Sequence, residues 1–184
     1  LESNGSISFR RLFDDNEYDI DGKTSQLSIE QLIFAACRGG WPASIDEMSQ
    51  EAKLLIARDY VNEICDKDIS RVDKTHRNPA LARLILRTYA RNICTLAKKS
   101  SMINDIAVEM ESISAPTFYD YVCALEKLFV IEDIEAWSPA IRSKTVIRTG
   151  KKRCFVDPSI VVASLGASPE SLEVDLNTFG FIFE

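Results

Sequence analysis

The chain has 184 residues, 46% of them hydrophobic and 27% charged, so it can bury one sizeable core or two small ones. Its net charge of -6 excludes a protein that coats nucleic acid over its whole surface, so any such contact must be local. No apolar run approaches the roughly 18 residues that span a bilayer, and no signal peptide is visible. The five cysteines are scattered and show no paired spacing. Together these features predict a cytoplasmic protein with reduced thiols and no membrane contact.

The N-terminal stretch, residues 1–25, is acidic and irregular, and we interpret it as a linker or as the exit from a preceding domain. Ser28 and Gln31 then form a capping box, which predicts the start of a helix. Apolar residues follow at helical spacing, and Gly39 is a natural helix stop. The first predicted helix therefore ends directly before the sequence "GGWP".

A second helix is predicted after this corner. Ser44 with Glu47 matches another capping box, and apolar residues continue at helical spacing to Ile64. A charged stretch, "CDKDISRVDKTHRNP", ends the helix. We therefore predict a two-helix unit over residues 26–77, with its helices joined through the Gly-Gly-Trp-Pro corner.

The next predicted unit spans residues 78–165. Asn78 and Pro79 suit the N-cap and the first position of a long helix, and two further helices follow at apolar helical spacing. The segments "VIEDIEAW" and "RCFVDP" predict the strands of a hairpin. Three helices followed by a hairpin is the order of a winged helix-turn-helix. The predicted fold class is therefore mainly α with a small β-hairpin.

Two short helices are predicted to complete the chain. Asp157 with Pro158 starts the first, at the end of the predicted winged helix. Ser168 with Pro169 starts the last one, which occupies residues 166–184.

Catalytic motifs are not found in the sequence. No G-x-x-x-x-G-K-[ST] pattern is present, and "RTGKKR" lacks both the preceding strand and the hydroxyl that would bind magnesium. The single histidine, His76, has no histidine partner or nucleophile motif near it, and we interpret it as an exposed loop residue. We predict no catalytic residue and no metal site, so this part of the protein is not expected to be an enzyme by itself.

A basic segment is the clearest charge signal. Residues 138–153 contain six basic residues and no acidic one, and on the wing of a winged helix they would lie along a phosphate backbone. With Thr117 and Tyr119, on the outward face of the third helix, they form the predicted nucleic-acid-binding set. The six basic residues are Arg142, Lys144, Arg148, Lys151, Lys152 and Arg153.

Two other interpretations of this basic segment remain open. It can be a solvated loop, or it can pair with an acidic face elsewhere in the protein. The outward positions of the third helix also include Asp120 and Glu126, and they offer no Arg, Asn or Gln for bidentate base contacts. Base-specific readout is therefore not expected, and a protein–protein role of the winged helix remains an alternative.

Several segments, taken in order, resemble one known family. They are "IFAACRGGWPASI", "LLIARDYVNEICDKDIS", "NPALARLILRTYARNICTLA", "TFYDYVCALEKLFVIEDIEAW" and "KKRCFVDPSI". This order resembles the prokaryotic AAA-type ATPases, predicted ATP-binding proteins that carry a C-terminal domain of unknown function. The resemblance implies that residues 26–77 form a helical lid and that a winged helix follows.

The same resemblance implies what surrounds this region. A P-loop ATPase core would precede Leu1, and an endonuclease-like domain would begin around Glu184. ATP or ADP with Mg²⁺ would bind the full-length protein, and this region would sense the nucleotide and relay its state to a partner or to nucleic acid. The alternatives are a DNA-binding winged-helix regulator and a protein–protein interaction or oligomerisation module with no nucleotide role, for which a second copy of the chain is one candidate partner.

The corner is the predicted nucleotide contact, with the cofactor-binding set Arg38, Gly39, Gly40, Trp41 and Pro42. The resemblance implies that Gly40, Trp41 and Pro42 border the adenine and that Arg38 reaches a phosphate. Glycine permits a close backbone approach, proline holds a turn, and a flat aromatic ring can stack on a base. The alternative interpretation is that Trp41 packs between the two helices, while Gly39 and Gly40 act as ordinary caps.

Overall fold

The computed structural model describes residues 8–14, 26–46, 49–109, 113–139, 144 and 149–184. Over these residues the chain is mainly helical, which confirms the predicted fold class at that level. A π-helical segment, Ile64–Asp68, joins the helices Gln50–Glu63 and Ile69–Arg71. The helices are α1 Phe9–Asp14, α2 Ile29–Arg38, α3 Pro42–Asp46, α4 Gln50–Glu63, α5 Ile69–Arg71, α6 Pro79–Arg91, α7 Lys99–Glu109, α8 Ala115–Lys127, α9 Pro158–Leu165, α10 Pro169–Val174 and α11 Leu176–Phe183.

The sequence predicts no membrane contact. None of the helices in the described ranges combines the length and the apolar character that crossing a bilayer requires.

Helix starts that depend on a local cap are confirmed. The Ser28 hydroxyl accepts the Gln31 backbone N–H, and the Gln31 side chain accepts the Ser28 N–H at 2.8 Å, which completes the predicted capping box. Asn78 caps α6 by accepting the Ala80 N–H at 2.8 Å, with Pro79 at the first helical position. The predicted starts of α9 and α10 are confirmed in the same way.

The predicted helix start at Ser44 is wrong, and its capping-box partner Glu47 lies outside the described residues. Ser44 lies inside α3 and is buried, and its hydroxyl donates to the Trp41 carbonyl at 2.6 Å. The cap of α4 is Ser49, whose side chain accepts the Ala52 N–H. Pro42 explains the difference, because its fixed φ begins a helix directly after the corner.

The structure differs from the helix prediction in four other places. The long helix α6 ends at Arg91, before Leu96, because Cys94 adopts φ 56° and donates its N–H to the Arg153 carbonyl at 2.8 Å. Part of the charged stretch after α4 is helical and forms the π-helical segment and α5. The predicted last helix is interrupted at Asp175, and the predicted N-terminal linker contains the short helix α1.

Where a hairpin is predicted, the described residues form two isolated antiparallel bridges, between Ile131 and Phe155 and between Ile134 and Lys152. At the second bridge the two residues exchange backbone hydrogen bonds of 2.9 and 2.8 Å. The described part of the chain contains no longer strand. Residues 140–143 and 145–148, within the predicted wing, lie outside the described residues.

Two clusters of buried side chains form the core. The first surrounds Tyr89 and Phe118 and joins α4, the π-helical segment, α6, α7 and α8. The second surrounds Ile33 and Phe179 and joins α2, the end of α6, α9, α10 and α11. Helix α9 contributes to both. Over the described residues, the predicted segments 26–77 and 78–165 therefore share their cores.

The cysteines differ strongly in accessibility, which leads to a labelling prediction. Burial raises the pKa of the Cys37 and Cys65 thiols to about 11, whereas Cys123 is exposed. Because the thiolate is the reactive form, we expect Cys123 to react with a thiol reagent at pH 8 at least about 100-fold faster than either buried cysteine. Mass spectrometry of timed samples measures the rates, with Cys123→Ser as control. Equal labelling of Cys65 and Cys123 would contradict the packing described here.

Candidate functional site

The Gly-Gly-Trp-Pro corner binds to the N-terminus of α9. The Gly40 N–H donates to Asp157 Oδ2 at 2.9 Å, and the Trp41 indole N–H donates to Ser159 Oγ at 2.8 Å. Asp157 also caps α9, because its Oδ1 accepts the Ser159 N–H at 2.9 Å. One carboxylate therefore connects the corner to the first turn of α9.

Gly39 makes the close approach of these two segments possible. Its φ of 75° and ψ of -176° lie in a region that side-chain-bearing residues rarely adopt. A Cβ at this position would overlap Ser159 Oγ and would lie 2.5 Å from Asp157 Oδ1. The glycine is therefore required both for its backbone conformation and for the space beside α9.

Trp41 is half-buried, and its ring packs on Tyr60 of α4, with 4.5 Å between centroids and an interplanar angle of 49°. The contact with Tyr60 agrees with the packing alternative, whereas the indole N–H binds Ser159 of α9, outside the two predicted lid helices. Pro42 begins α3 and is exposed. The predicted contact of Trp41 with a base stays a prediction.

A cleft of about 380 Å³ lies beside the corner. Both glycines and Arg38 line it, and most of its other lining side chains are apolar; Trp41 does not line it. The remaining lining residues are Leu32, Ala35, Ala36, Pro158, Ile182 and Phe183. Of the five corner residues predicted to bind nucleotide, three therefore line a common cleft.

A second cavity, of about 430 Å³, brings together part of the predicted nucleic-acid-binding set. Tyr119 of α8 and two basic residues of the 138–153 segment, Lys151 and Arg153, line it. Lys98 and Lys99, at the start of α7, line it too, and the Lys99 Nζ lies 5.3 Å from the centroid of the Tyr119 ring. We call this space the lysine cavity.

Arg153, which was predicted to contact phosphate as an accessible loop residue, is buried and paired in the structure. Its side chain is 7% exposed, its Nε donates to the Ala97 carbonyl at 3.0 Å, and its Nη1 forms an ion pair with Asp133. The Tyr89 hydroxyl donates to the same carboxylate oxygen at 3.2 Å, and burial raises the pKa of Tyr89. The Arg153 charge is therefore neutralised inside the fold.

The other predicted nucleic-acid residues have different environments. Lys151 forms an exposed ion pair with Glu135 at 2.9 Å, and Lys152 pairs with Glu184. Both contacts agree with the alternative in which the basic segment pairs with acidic residues. Lys144 is exposed, and the Thr117 hydroxyl is 2.8 Å from that of Ser114. Arg142 and Arg148 lie outside the described residues.

One family model, a domain of unknown function (DUF8612), matches residues 29–171. The match covers more than half of the chain. This chain belongs to the DUF8612 family. No curated protein and no solved structure matches it.

The DUF8612 domain contains cavity residues that the sequence interpretation missed. Lys98 and Lys99 form a basic pair directly before a predicted helix, a signal that was available in the sequence. Asp133 was not detectable, because its importance comes from two distant partners, Tyr89 and Arg153.

Among the described residues of the domain, no group of three or more His, Cys, Asp or Glu side chains is arranged to hold a metal ion.

Proposed function

We propose that this DUF8612 domain is the nucleotide-sensing and transmitting part of an AAA-type ATPase. Its α2–α5 helices act as the lid, and the region from α6 to α9 relays the nucleotide state to a partner. The observation that carries this proposal is the contact of the corner with α9 through Asp157 and Ser159. A displacement of the corner must break these hydrogen bonds or move the N-terminus of α9 with it.

The cleft beside Gly39 and Gly40 supports the nucleotide-sensing half of the proposal. An apolar cleft of about 380 Å³ suits a flat base, and glycine backbone permits close approach. Arg38, at the end of α2, is the residue that would contact a phosphate. In this proposal ATP or ADP, with Mg²⁺, is bound mainly by an ATPase core, and the domain adds one edge of the site without hydrolysing the nucleotide.

The order of elements from α6 to α9 supports the relay half. Three helices are followed by two antiparallel bridges, and the Arg153 backbone also pairs with Thr95, in the connection between α6 and α7. Helices followed by short antiparallel pairing are typical of a winged helix-turn-helix. We propose a winged helix of this kind as the transmitting unit.

Trp41→Ala, in the natural full-length protein, tests the sensing role. We expect the affinity for labelled ATP and ADP to fall about tenfold, which corresponds to about 1.4 kcal/mol, because the indole contacts hold the shape of the corner. Equilibrium binding at matched folded fraction measures the effect. Trp137→Ala is the control, because that ring is 82% exposed and should have no influence.

Two outcomes would reject the sensing role. The first is a wild-type protein that does not bind nucleotide at all. The second is a folded Trp41→Ala protein with unchanged affinity. If Trp41→Ala does not fold, Ser159→Ala provides a second comparison, because it removes the acceptor of the indole N–H, together with the hydroxyl's own hydrogen bond to Asp157, and keeps the Trp41 ring. Loss of nucleotide binding in both variants, at unchanged stability, would support the lid function.

A further inference from the structure

We infer that the lysine cavity binds one nucleotide unit of a single-stranded nucleic acid. The inference rests on the proposed function only in naming the relay's partner. It concerns a different surface from the corner, so the binding of ATP and the binding of nucleic acid can be tested separately.

The charge of the cavity favours an anion. Arg153 and Asp133 neutralise each other, which leaves Lys98, Lys99 and Lys151 against a single acidic residue, Glu126. The ion pair between Lys151 and Glu135 is accessible to solvent, because the two side chains are 52% and 68% exposed. A phosphate can therefore replace Glu135 as the partner of Lys151 at a small cost in free energy. The cavity therefore has excess positive charge in a chain whose net charge is negative.

The N-terminus of α7 adds hydrogen-bond donors to these charges. The helix has 11 residues and begins at Lys99. The first N–H groups of a helix have no acceptor within the helix, and Lys98, which precedes it, has no side-chain oxygen to cap them. Phosphate oxygens accept such N–H groups, and the helix dipole favours their negative charge. Two lysines and a helix N-terminus thus meet at one side of the cavity.

Asp133 indicates that the ligand also brings a donor. Its side chain is only 4% exposed, and its Oδ2 accepts hydrogen bonds from both Arg153 and Tyr89. Its Oδ1 is buried and has no hydrogen-bond partner among the described residues. A buried carboxylate oxygen requires a donor, and the phosphodiester group of a nucleic-acid backbone has no N–H or O–H that could supply one. The ligand should therefore combine an anionic group with an N–H or O–H group.

Tyr119 provides the third element of recognition. Its ring is 46% exposed at the cavity, with Lys99 over it. Bases stack on such exposed rings without sequence preference, which agrees with the absence of side chains for base-specific readout. A phosphate, a base N–H and a flat base together describe a nucleotide. Lys151, near the C-terminal end of the basic 138–153 segment, lines the cavity, and the further basic residues that precede it in the sequence favour a strand over a single nucleotide.

Fluorescence anisotropy with a labelled single-stranded DNA of about 20 nucleotides, at several salt concentrations, tests this inference. We expect Lys98→Ala/Lys99→Ala to lower the affinity at least about tenfold. It should also reduce the slope of log K against log salt by about 1.4, which corresponds to two phosphate contacts on a single strand. The matched control is Lys67→Ala/Arg71→Ala, which removes two exposed charges outside the cavity.

Tyr119→Ala provides a second variant at an exposed position, in case the double variant does not fold. We expect it to weaken binding about tenfold or more while leaving the salt slope unchanged. The inference is overturned if the wild type does not bind the strand at low salt, or if cavity and control variants lose affinity equally. It is also overturned if duplex DNA or a phosphorylated peptide binds more tightly than the single strand.

Discussion

Gly39→Ala is expected to destabilise the domain by about 3 kcal/mol or more. The backbone strain at φ 75° and ψ -176° contributes about 1–3 kcal/mol in a residue other than glycine. The added Cβ would also overlap Ser159 Oγ and crowd Asp157 Oδ1. Relieving that overlap breaks the Gly40 and Trp41 hydrogen bonds to α9, at about 1 kcal/mol each.

Urea unfolding followed by circular dichroism measures this change in the free energy of unfolding. Gly180→Ala is the matched control, because Gly180 lies in α11 and an added Cβ meets nothing within 4 Å. Alanine has the higher helix propensity, so the control should be neutral or up to about 1 kcal/mol more stable. A Gly39→Ala protein as stable as this control would show that the corner does not bind α9 as described.

Arg77→Ala is expected to cost about 3 kcal/mol. The Arg77 side chain is 1% exposed, and its guanidinium donates to both oxygens of Asp73, to both oxygens of Asp120 and to the Ile69 carbonyl. Removing one member of a buried ion pair costs about 3–5 kcal/mol, and we expect the lower end because the two carboxylates are partly exposed. The arginine connects the end of α5 to α8.

The same unfolding experiment has a matched arginine control. Arg83 also binds a carboxylate, that of Asp66, at 2.8 Å, but both side chains are more than 40% exposed. Exposed pairs contribute about 0–1 kcal/mol, so Arg83→Ala should have a small effect. Equal losses in the two variants would mean that Arg77 is not the buried connection described here.

The pH dependence of stability tests the Arg77 contact independently. Hydrogen bonds from Arg77 hold the pKa of Asp73 below its usual range. A carboxyl group with a lowered folded-state pKa stabilises the protein above its unfolded-state pKa of about 3.9, and this contribution is lost as the pH falls below that value. Wild-type stability should therefore decrease on acidification in this window, and Arg77→Ala should decrease less. Parallel curves for both proteins would contradict the contact.

The sequence predicted the candidate corner but not what it contacts. A Gly-Gly-Trp-Pro run between two helices is conspicuous in a chain with few glycines and prolines. Its partners, Asp157 and Ser159, lie more than 110 residues away along the chain. In the sequence these two residues resemble an ordinary helix start, a role that Asp157 also has. Nothing local distinguishes a cap that also binds a second segment.

In the basic segment, the sequence did not show which of the cationic side chains are buried. Charge pattern alone grouped Arg153 with the lysines, because the sequence does not report which cation is buried. The structure separates them: Arg153 reaches Asp133 inside the fold, while Lys151 remains exposed at the lysine cavity. Lys98 and Lys99 join that cavity only because α7 packs beside α8.

The sequence by itself determined the helical class and the helix starts at Ser28, Asn78 and Ser168. Each start depends on a side chain that binds an N–H group two or three residues away, so local chemistry is sufficient. The early end of α6 and the weak antiparallel pairing were decided by the tertiary structure, because the Cys94 N–H and the Arg153 carbonyl meet only after folding. The burial of Arg153 and the contact of the corner with α9 have the same cause, since both depend on groups distant in sequence that packing brings together.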